Sequence, residues 1–231
     1  MSEYPILFSG EMVRAILAGT KTQTRRVIEH QPEFGAYVSL EGFDRICLVH
    51  EDWAGNGVGL QAFPYARKIG DRLWVRELLH ISMQGLWLYR SDNEPVECRT
   101  DEEIPIMHNW IRRKSEKDIS FCPPIHMPRW ASRILLEVAG VRAERLQAIS
   151  EEDARAEGVT PSIVGSDLDG LAYRAGFATL WDSINGSRPT LPKNVNSQRC
   201  ERVQRRLDIH PAKDWESNPW VWVVEFKRVA S

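Results

Sequence analysis

The sequence has no long hydrophobic run, because no apolar stretch among its 231 residues approaches the roughly eighteen that a membrane-spanning helix needs. It also lacks positive charge at residues 1–5, where a secretory signal would carry basic side chains. Hydrophobic residues make up 42% of the chain and charged residues 27%, which is typical of a globular protein. These features predict a cytoplasmic protein without a membrane partner.

Cysteine is scarce and scattered. The four cysteines, Cys47, Cys98, Cys122 and Cys200, include no CxxC pair. Zinc sites and redox pairs usually bring two ligands close together in the sequence, and only Cys122 with His126 is suggestive here. A loop histidine near a buried thiol accounts for that pair better than a metal does.

Several enzyme signatures are also absent. The sequence has no GxSxG, which disfavours a serine hydrolase. It also has no GxxxxGK[ST] and no GxGxxG after a strand, which disfavours binding sites for nucleoside triphosphates and dinucleotides. The six histidines follow no catalytic or metal-binding pattern. The sequence therefore predicts neither a metal nor a cofactor.

What the sequence does have is a concentrated positive segment. Residues 19–26 read Gly-Thr-Lys-Thr-Gln-Thr-Arg-Arg, and residues 12–28 hold four cations and no acid in a chain of net charge -2. A local positive field in a nearly neutral protein indicates a site for an anionic or polar ligand. The alternative is an edge strand that is solvated by its own charges.

The sequence around this segment predicts a helix followed by a strand. Ser9 can cap a helix that begins at Gly10 or Glu11, and Gly19 can end it in the left-handed conformation. Residues 22–28 then form a β-rich run. Residues 30–68 are irregular and are interpreted as an insertion or a long loop.

The middle of the chain predicts three further strands and a short helix. A turn at residues 70–71 leads into a strand at 72–77, with residues 87–89 as its hairpin partner. A short helix is expected near 107–113. Prolines at positions 123, 124 and 128 favour an extended approach to an alternating strand at 133–138.

The last third of the chain predicts two helices and a buried strand. Ser150 caps a short helix that stops at Gly158. A longer helix covers 171–185, and residues 220–226 form a closing strand that is apolar on both faces as far as Glu225. The expected buried face of the longer helix comprises Ala175, Ala178, Trp181 and Ile184. The elements predict a single α+β domain, a small β-barrel or half-barrel with helices at its ends.

Lys21, Thr24 and Glu157 are the residue types of an acyl-transfer site. A threonine hydroxyl is a weak nucleophile until a base takes its proton, and a lysine can be that base if burial or nearby cations lower its pKa. A glutamate can orient the lysine or pass a proton to a leaving amine. On its own, Glu157 at a helix end is as well explained as a solvated surface residue. Lys21 and Thr24 can share a pocket only if Lys21 lies in the turn before the strand, because residues three apart in a strand face opposite ways.

Several runs resemble the ASCH domains of the PUA-like superfamily, in the order in which that family has them. These runs are residues 5–8 with 16–26, residues 70–77, residues 146–158 and residues 220–226. Residues 126–133, His-Met-Pro-Arg-Trp-Ala-Ser-Arg, are similar to a longer subgroup that is often found in phages and prophages. The resemblance implies a PUA-like small β-barrel with short flanking helices and long insertions at about 30–68, 90–128 and 187–217.

The resemblance also implies a function. Small bacterial members of the family hydrolyse N4-acetylcytidine, and their catalytic residues match Lys21, Thr24 and Glu157. This implies a metal-free amidohydrolase that removes an acyl group from the N4 amine of a cytosine nucleoside or nucleotide. Other relatives bind RNA or cleave single-stranded RNA, so a non-catalytic nucleic-acid-binding module and a single-strand ribonuclease stay open as alternatives. The candidate substrate-binding residues are Arg25, Arg26, Arg129 and Trp74.

Overall fold

A computed structural model describes residues 1–28, 31, 36–39, 46–51, 57–63, 68–82, 84–97, 121–161, 172–186 and 213–229. Its strands and α-helices run in the order β1 (Glu3–Leu7), α1 (Gly10–Leu17), β2 (Gln23–Val27), β3 (Ala36–Ser39), β4 (Ile46–Glu51), β5 (Gly57–Phe63), β6 (Arg72–Arg76), β7 (Leu79–Ile81), β8 (Trp87–Tyr89), β9 (Phe121–Cys122), β10 (Leu135–Arg145), α2 (Glu151–Ala156), α3 (Ala172–Asn185) and β11 (Trp220–Val229). They belong to two compact units. The first comprises Met1–Thr20, Gly70–Val138 and Phe226–Ser231, and the second comprises Lys21–Ile69 and Ala139–Glu225.

The predicted first helix is confirmed, and it belongs to the first unit. Ser9 caps it by accepting a 3.4 Å hydrogen bond from the Met12 backbone N–H. Val13 and Ile16 are its buried residues. Gly19 has a φ of +73°, a left-handed conformation that glycine adopts without steric cost, so the helix ends where the sequence predicts.

The strands of the first unit are ordered β1-β6-β10. β1 runs parallel to β6, with Glu3 opposite Arg72, and β10 pairs antiparallel to β6. Leu136 and Val138 are buried while their neighbours Leu135 and Glu137 are only half-buried. This alternation confirms the half-buried strand that the sequence predicts after the proline-rich segment.

A second sheet in the first unit has the order β8-β7-β9. The predicted hairpin between residues 72–77 and 87–89 is wrong, because β7 begins three positions after β6 and takes β8 as its antiparallel partner. The predicted extended approach at the prolines is also wrong in part, since Pro124–His126 and Arg129–Ala131 form 3-10 turns. Proline fits the start of such turns because its fixed φ is helical.

The second unit contains the order β10-β11-β2, and β2 pairs antiparallel to β11 with Thr24 opposite Val224. β11 is buried from Val221 to Val224, and Glu225 is exposed, which confirms the predicted strand with two apolar faces. The helices α2 and α3 pack into the hydrophobic core of the second unit. Ser150 caps α2 by accepting a 3.0 Å hydrogen bond from the Asp153 N–H.

The buried face of α3 agrees with the prediction at Trp181 and differs from it at Ala175 and Ile184, which are exposed. Phe177 and Trp181 are buried, whereas Ile184 is 55% exposed. Phe177 and Trp181 are four positions apart and therefore lie on one face of the helix, where they pack with Val221 and Val223. The larger aromatic side chains, and not the alanines, determine which face is buried.

The region that the sequence shows as irregular, 30–68, contains a three-stranded antiparallel sheet in the order β3-β4-β5. The interpretation of this region as a long loop is therefore wrong. The predicted helix near 107–113 lies outside the described residues, and so does the stretch 187–212 of the third expected insertion. Hydrogen bonds between backbone groups hold these strands together, and such bonds leave no mark in the sequence. The side-chain pattern of the region is weak, so it does not indicate a sheet.

The secondary structure is a mixed α+β arrangement with mostly strands and few helices, as predicted. Among the described strands no closed barrel is found. No helix in the described part of the chain is long and apolar enough to cross a membrane.

Candidate active site

Lys21 and Glu157 form a buried ion pair in the second unit. Lys21 Nζ donates to Glu157 Oε2 at 2.7 Å, to the Glu157 backbone oxygen at 2.8 Å and to the Gln23 backbone oxygen at 2.9 Å. These three acceptors match the three N–H donors of an ammonium group. Lys21 is 2% exposed and Glu157 is 4% exposed, so the interpretation of Glu157 as a solvated surface residue is wrong.

Local backbone structure brings these two residues together. Lys21 lies before β2, in an isolated bridge with Glu157, and the Thr22 N–H donates a 2.8 Å hydrogen bond to the Ala156 oxygen. Glu157 is the C-terminal cap of α2, and Gly158 follows it with a φ of +76°. The end of a short helix is thus joined to the residues that precede an edge strand, and both side chains are directed into protein.

Arg25 holds the second carboxylate oxygen of Glu157. Its Nη1 donates to Glu157 Oε1 at 3.1 Å, its Nε to Glu144 Oε1 at 2.9 Å and its Nη2 to Asp153 Oδ2 at 3.1 Å. The guanidinium carbon also lies 5.8 Å from the centre of the Phe177 ring. Lys21 and Arg25 therefore fix both oxygens of Glu157.

Two further residues extend this ionic cluster. Gln23 Nε2 donates to the Asp153 backbone oxygen at 2.7 Å and to its Oδ1 at 3.0 Å. Arg142 pairs with Asp153 at 3.1 Å, with Glu144 at 3.2 Å and, through a very short contact, with Glu225. Sequence reasoning did not assign these residues to the site. The one available signal was the alternation of Arg142 and Glu144, which places both on one face of β10.

Burial lowers the pKa of Lys21 below its ordinary value, because the interior disfavours the charged ammonium. The Glu157 carboxylate opposes this effect and favours the ammonium, whereas the Arg25 and Arg26 cations add to it. The pKa of Lys21 therefore stays depressed even beside a carboxylate. A lowered pKa is what a lysine needs if it is to act as a base, which is the role that the sequence predicts for Lys21.

At Asp153, neighbouring groups outweigh the effect of burial on the pKa, whereas at Lys21 burial prevails. Burial would raise the pKa of its carboxyl group, but the hydrogen bond from Gln23 and the charges of Arg25 and Arg142 outweigh burial and hold the pKa below its ordinary value. Asp153 therefore remains an anion that supports the two arginines.

Thr24 is 3% exposed and lies in β2 between Gln23 and Arg25. Successive side chains of a strand point to opposite faces, so Thr24 is directed away from the face on which Gln23 and Arg25 meet Asp153. The described residues show no side-chain hydrogen bond at Thr24. The structure thus joins Lys21 with Glu157 directly and places Thr24 nearby in the chain, on the other face of β2.

The remaining predicted site residues lie in different surroundings. Arg26 is exposed at its position opposite Trp222 in β11. Arg129 and Trp74 belong to the first unit, where Arg129 Nε donates to Glu3 Oε2 at 2.9 Å. The Trp74 ring lies 5.8 Å from the Arg129 guanidinium and 4.5 Å from that of Arg76.

The described side chains of His, Cys, Asp and Glu form no group of three or more that could hold a metal ion. Cys122 is a free, buried thiol, and burial raises its pKa to about 11. Comparison with known proteins gives no relative, since no family model, curated protein or solved structure matches the chain.

Proposed function

We propose that this chain is an ASCH-type protein of the PUA-like superfamily and a metal-free amidohydrolase. Its substrate would be a cytosine nucleoside or nucleotide that carries an acyl group on the N4 amine, in the cytoplasm. The observation that carries the proposal is the buried Lys21–Glu157 pair, with Nζ and Oε2 2.7 Å apart and the pKa of Lys21 depressed by burial. A lysine of this kind can exchange protons near neutral pH more readily than a solvated lysine can.

The first chemical step uses Thr24 as the nucleophile. Glu157 accepts a proton from the Lys21 ammonium, and the neutral amine then removes the proton from Thr24 Oγ1. Oγ1 bonds to the acyl carbon, and the carbonyl becomes an oxyanion. This step requires a local rearrangement, because Thr24 lies on the face of β2 opposite the one on which Arg25 meets Glu157. Nζ has to exchange one of its present acceptors, an oxygen of Gln23 or Glu157, for the Thr24 hydroxyl.

The second step releases the amine. The C–N bond breaks, and the proton taken from Thr24 passes through Lys21 and Glu157 to the leaving N4 nitrogen. Water then attacks the acyl ester on Thr24, with Lys21 accepting a water proton and returning it to Thr24 Oγ1. The products are the free cytosine amine and the carboxylic acid, and the protein is regenerated.

Arg25 has a supporting role in this scheme. Arg25 is 4% exposed, and its guanidinium is engaged by Glu144, Asp153 and Glu157. It fixes Glu157 Oε1 so that Oε2 remains directed at Lys21. Of the two adjacent arginines, Arg26 is the exposed one, and it is the one that we expect to contact the ligand.

The test is release of cytidine from N4-acetylcytidine by the purified protein, with Lys21→Met and Glu157→Gln assayed in parallel. Exposed residues of the same types provide matched controls, Lys227→Met and Glu152→Gln. We expect turnover to be lost in Lys21→Met, reduced but measurable in Glu157→Gln, and retained in the two controls. Absence of turnover by the folded wild-type protein would overturn the proposal and favour a nucleic-acid-binding module, and RNA cleavage that depends on Lys21 would favour the ribonuclease.

A further inference from the structure

The first unit contains a cavity of about 360 Å³, within the size range of roughly 300–1,000 Å³ that is usual for small-ligand pockets. The side chains that matter for its chemistry are Tyr89, Glu94, Glu97, Trp130, Arg133 and Arg228. Neither the candidate active site nor the proposed hydrolysis uses any of them. The cavity therefore has to be explained separately.

A buried carboxylate fixes Arg133 at this cavity. Arg133 Nε donates to Glu77 Oε1 at 3.0 Å and Nη2 donates to Glu77 Oε2 at 2.9 Å, and Glu77 is 2% exposed. Nη2 also contacts Ser91 Oγ at 2.9 Å and Asp92 Oδ2 at 2.8 Å. The guanidinium carbon lies 3.8 Å from the centre of the Tyr89 ring. Arg133 is thus held in one orientation before any ligand binds, which reduces the entropic cost of binding.

Nη1 is the guanidinium nitrogen of Arg133 that has no acceptor among the described residues. A carboxylate or phosphate is usually gripped by two guanidinium nitrogens at once, and Nε and Nη2 are already engaged by Glu77. Nη1 remains, with its two N–H groups, but the pair of nitrogens that would grip a carboxylate or phosphate side-on is taken. This geometry suits a carbonyl oxygen or a ring nitrogen better than a two-pronged anion.

The other charged side chains of the cavity favour a ligand with N–H donors. Glu94 and Glu97 are exposed, and so is Arg228. The charge of Arg133 is already balanced by Glu77, so Asp92, Glu94 and Glu97 contribute three negative charges against the one positive charge of Arg228. An anionic ligand would meet net repulsion, whereas an amino group could donate hydrogen bonds to Glu94 or Glu97. Trp130 adds an aromatic surface that a planar ring can stack on.

We propose that this cavity binds a nucleobase that carries an exocyclic amino group. The base stacks on Trp130, a carbonyl oxygen or ring nitrogen accepts from Arg133 Nη1, and the amino group donates to Glu94 or Glu97. Single bases are recognised elsewhere by the same combination of aromatic stacking and hydrogen bonds to the base edge. The site lies within the first unit and does not depend on the proposed hydrolysis.

Cytidine and uridine provide a matched pair of probes, because they differ in the exocyclic group and share the sugar. We expect calorimetry to show cytidine binding about tenfold more tightly than uridine, since uracil presents a carbonyl oxygen where cytosine donates to a carboxylate. The double variant Glu94→Gln/Glu97→Gln should lose most of this preference, because an amide can also donate to the uracil oxygen. Trp130→Ala should weaken both nucleosides by a similar factor.

Glu152→Gln is the control, because Glu152 is an exposed carboxylate outside the cavity, and it should leave the preference for cytidine unchanged. Lys21→Met shows whether the candidate active site, which would release cytidine as its product, contributes to that preference. Arg133 is not the first choice for substitution, because its loss would leave Glu77 buried without its cation and could unfold the protein. Equal binding of cytidine and uridine, or a preference that disappears in Lys21→Met and survives in the glutamine double variant, would overturn the proposal. So would binding of inorganic phosphate that competes with cytidine. Loss of turnover in a hydrolysis assay has no bearing on this outcome.

Discussion

Lys21 and Glu157 are 136 positions apart in the sequence, and their side chains meet at 2.7 Å in the protein interior. A carboxylate at the end of a helix faces the negative end of the helix dipole and is disfavoured there. Two cations, Lys21 and Arg25, bind the two oxygens of Glu157 and outweigh that effect. The segment that the sequence identifies by its positive charge is therefore the segment that compensates the acids of α2 and β10.

Arg25 is expected to matter more for folding than Lys21. Arg25→Met leaves Glu144, Asp153 and Glu157 without their shared guanidinium, and we expect the free energy of unfolding to fall by about 3–5 kcal/mol, the usual cost of breaking a buried ion pair. Lys21→Met should cost less, because Arg25 still pairs with Glu157. Urea unfolding of both variants measures the difference.

Arg26→Met is the matched control for Arg25→Met, because Arg26 is the next residue of β2 and is exposed. Its unfolding free energy should stay within about 0.5 kcal/mol of wild type, as for most surface substitutions. If Lys21→Met destabilises the protein more than Arg25→Met does, the ionic cluster is not organised around Arg25.

The sequence was sufficient to predict that Lys21 and Glu157 are functional candidates, but not what surrounds them. The helix cap at Ser150 and the glycine at 158 could be recognised locally, and both are where the sequence predicts. Glu144 and Arg142 could not be recognised as part of the site, because their roles depend on β10 and β2 lying near α2. Local sequence patterns do not encode that arrangement. A buried carboxylate cannot be distinguished from a solvated one until the cations that accompany it are known.

Substitution of Thr24 tests the proposed chemistry most directly, because Thr24 is the proposed nucleophile and yet lies on the other face of β2 from Arg25. Thr24→Ala removes the nucleophile, and we expect kcat/KM for N4-acetylcytidine to fall roughly a thousandfold or more. The control is Thr22→Ala, an exposed threonine two positions away whose backbone N–H still bonds Ala156. Equal activity of Thr24→Ala and wild type would mean that water, and not Thr24, attacks the acyl carbon.

The pH dependence of hydrolysis should report on Lys21. If neutral Lys21 is the base, kcat/KM rises with pH through the pKa of Lys21, which burial depresses below its ordinary value of 10.5. Glu157→Gln removes the carboxylate that favours the ammonium, and burial with the Arg25 and Arg26 cations then lowers the pKa of Lys21 further. The rising limb of the profile should move to lower pH even as the maximal rate falls.

Glu152→Gln is the control for this shift, because Glu152 is exposed on the same helix and does not contact Lys21 in the described structure. Its profile should coincide with that of wild type. A rising limb that moves to higher pH in Glu157→Gln would show that the titrating group is not a lysine paired with Glu157.

The fold illustrates the same limit of local sequence patterns as the site. The second sheet of the first unit is organised around β7, a three-residue strand that begins three positions after β6 and pairs with β8. No periodicity can be read from three residues, so the sequence pattern does not reveal β7 and favours pairing residues 87–89 with residues 72–77 instead. The predicted buried face of α3 likewise includes Trp181 correctly but misses Phe177, whose large apolar surface is buried beside it.

Acid should weaken the ionic cluster through Asp153. Because the pKa of this carboxyl group lies below its ordinary 3.8 in the folded protein, its contribution to stability is full above that value and is lost as pH falls through the folded pKa. Asp153→Asn should therefore be less stable than wild type by about 1–2 kcal/mol at pH near 6, with the difference shrinking toward pH 3. Urea unfolding at about pH 6 and about pH 3 measures the stability difference and its decrease as pH falls. Glu152→Gln is the control, because Glu152 is an exposed carboxylate of α2. A difference between wild type and Asp153→Asn that stays constant with pH would show that the carboxylate acts through packing and not through its charge.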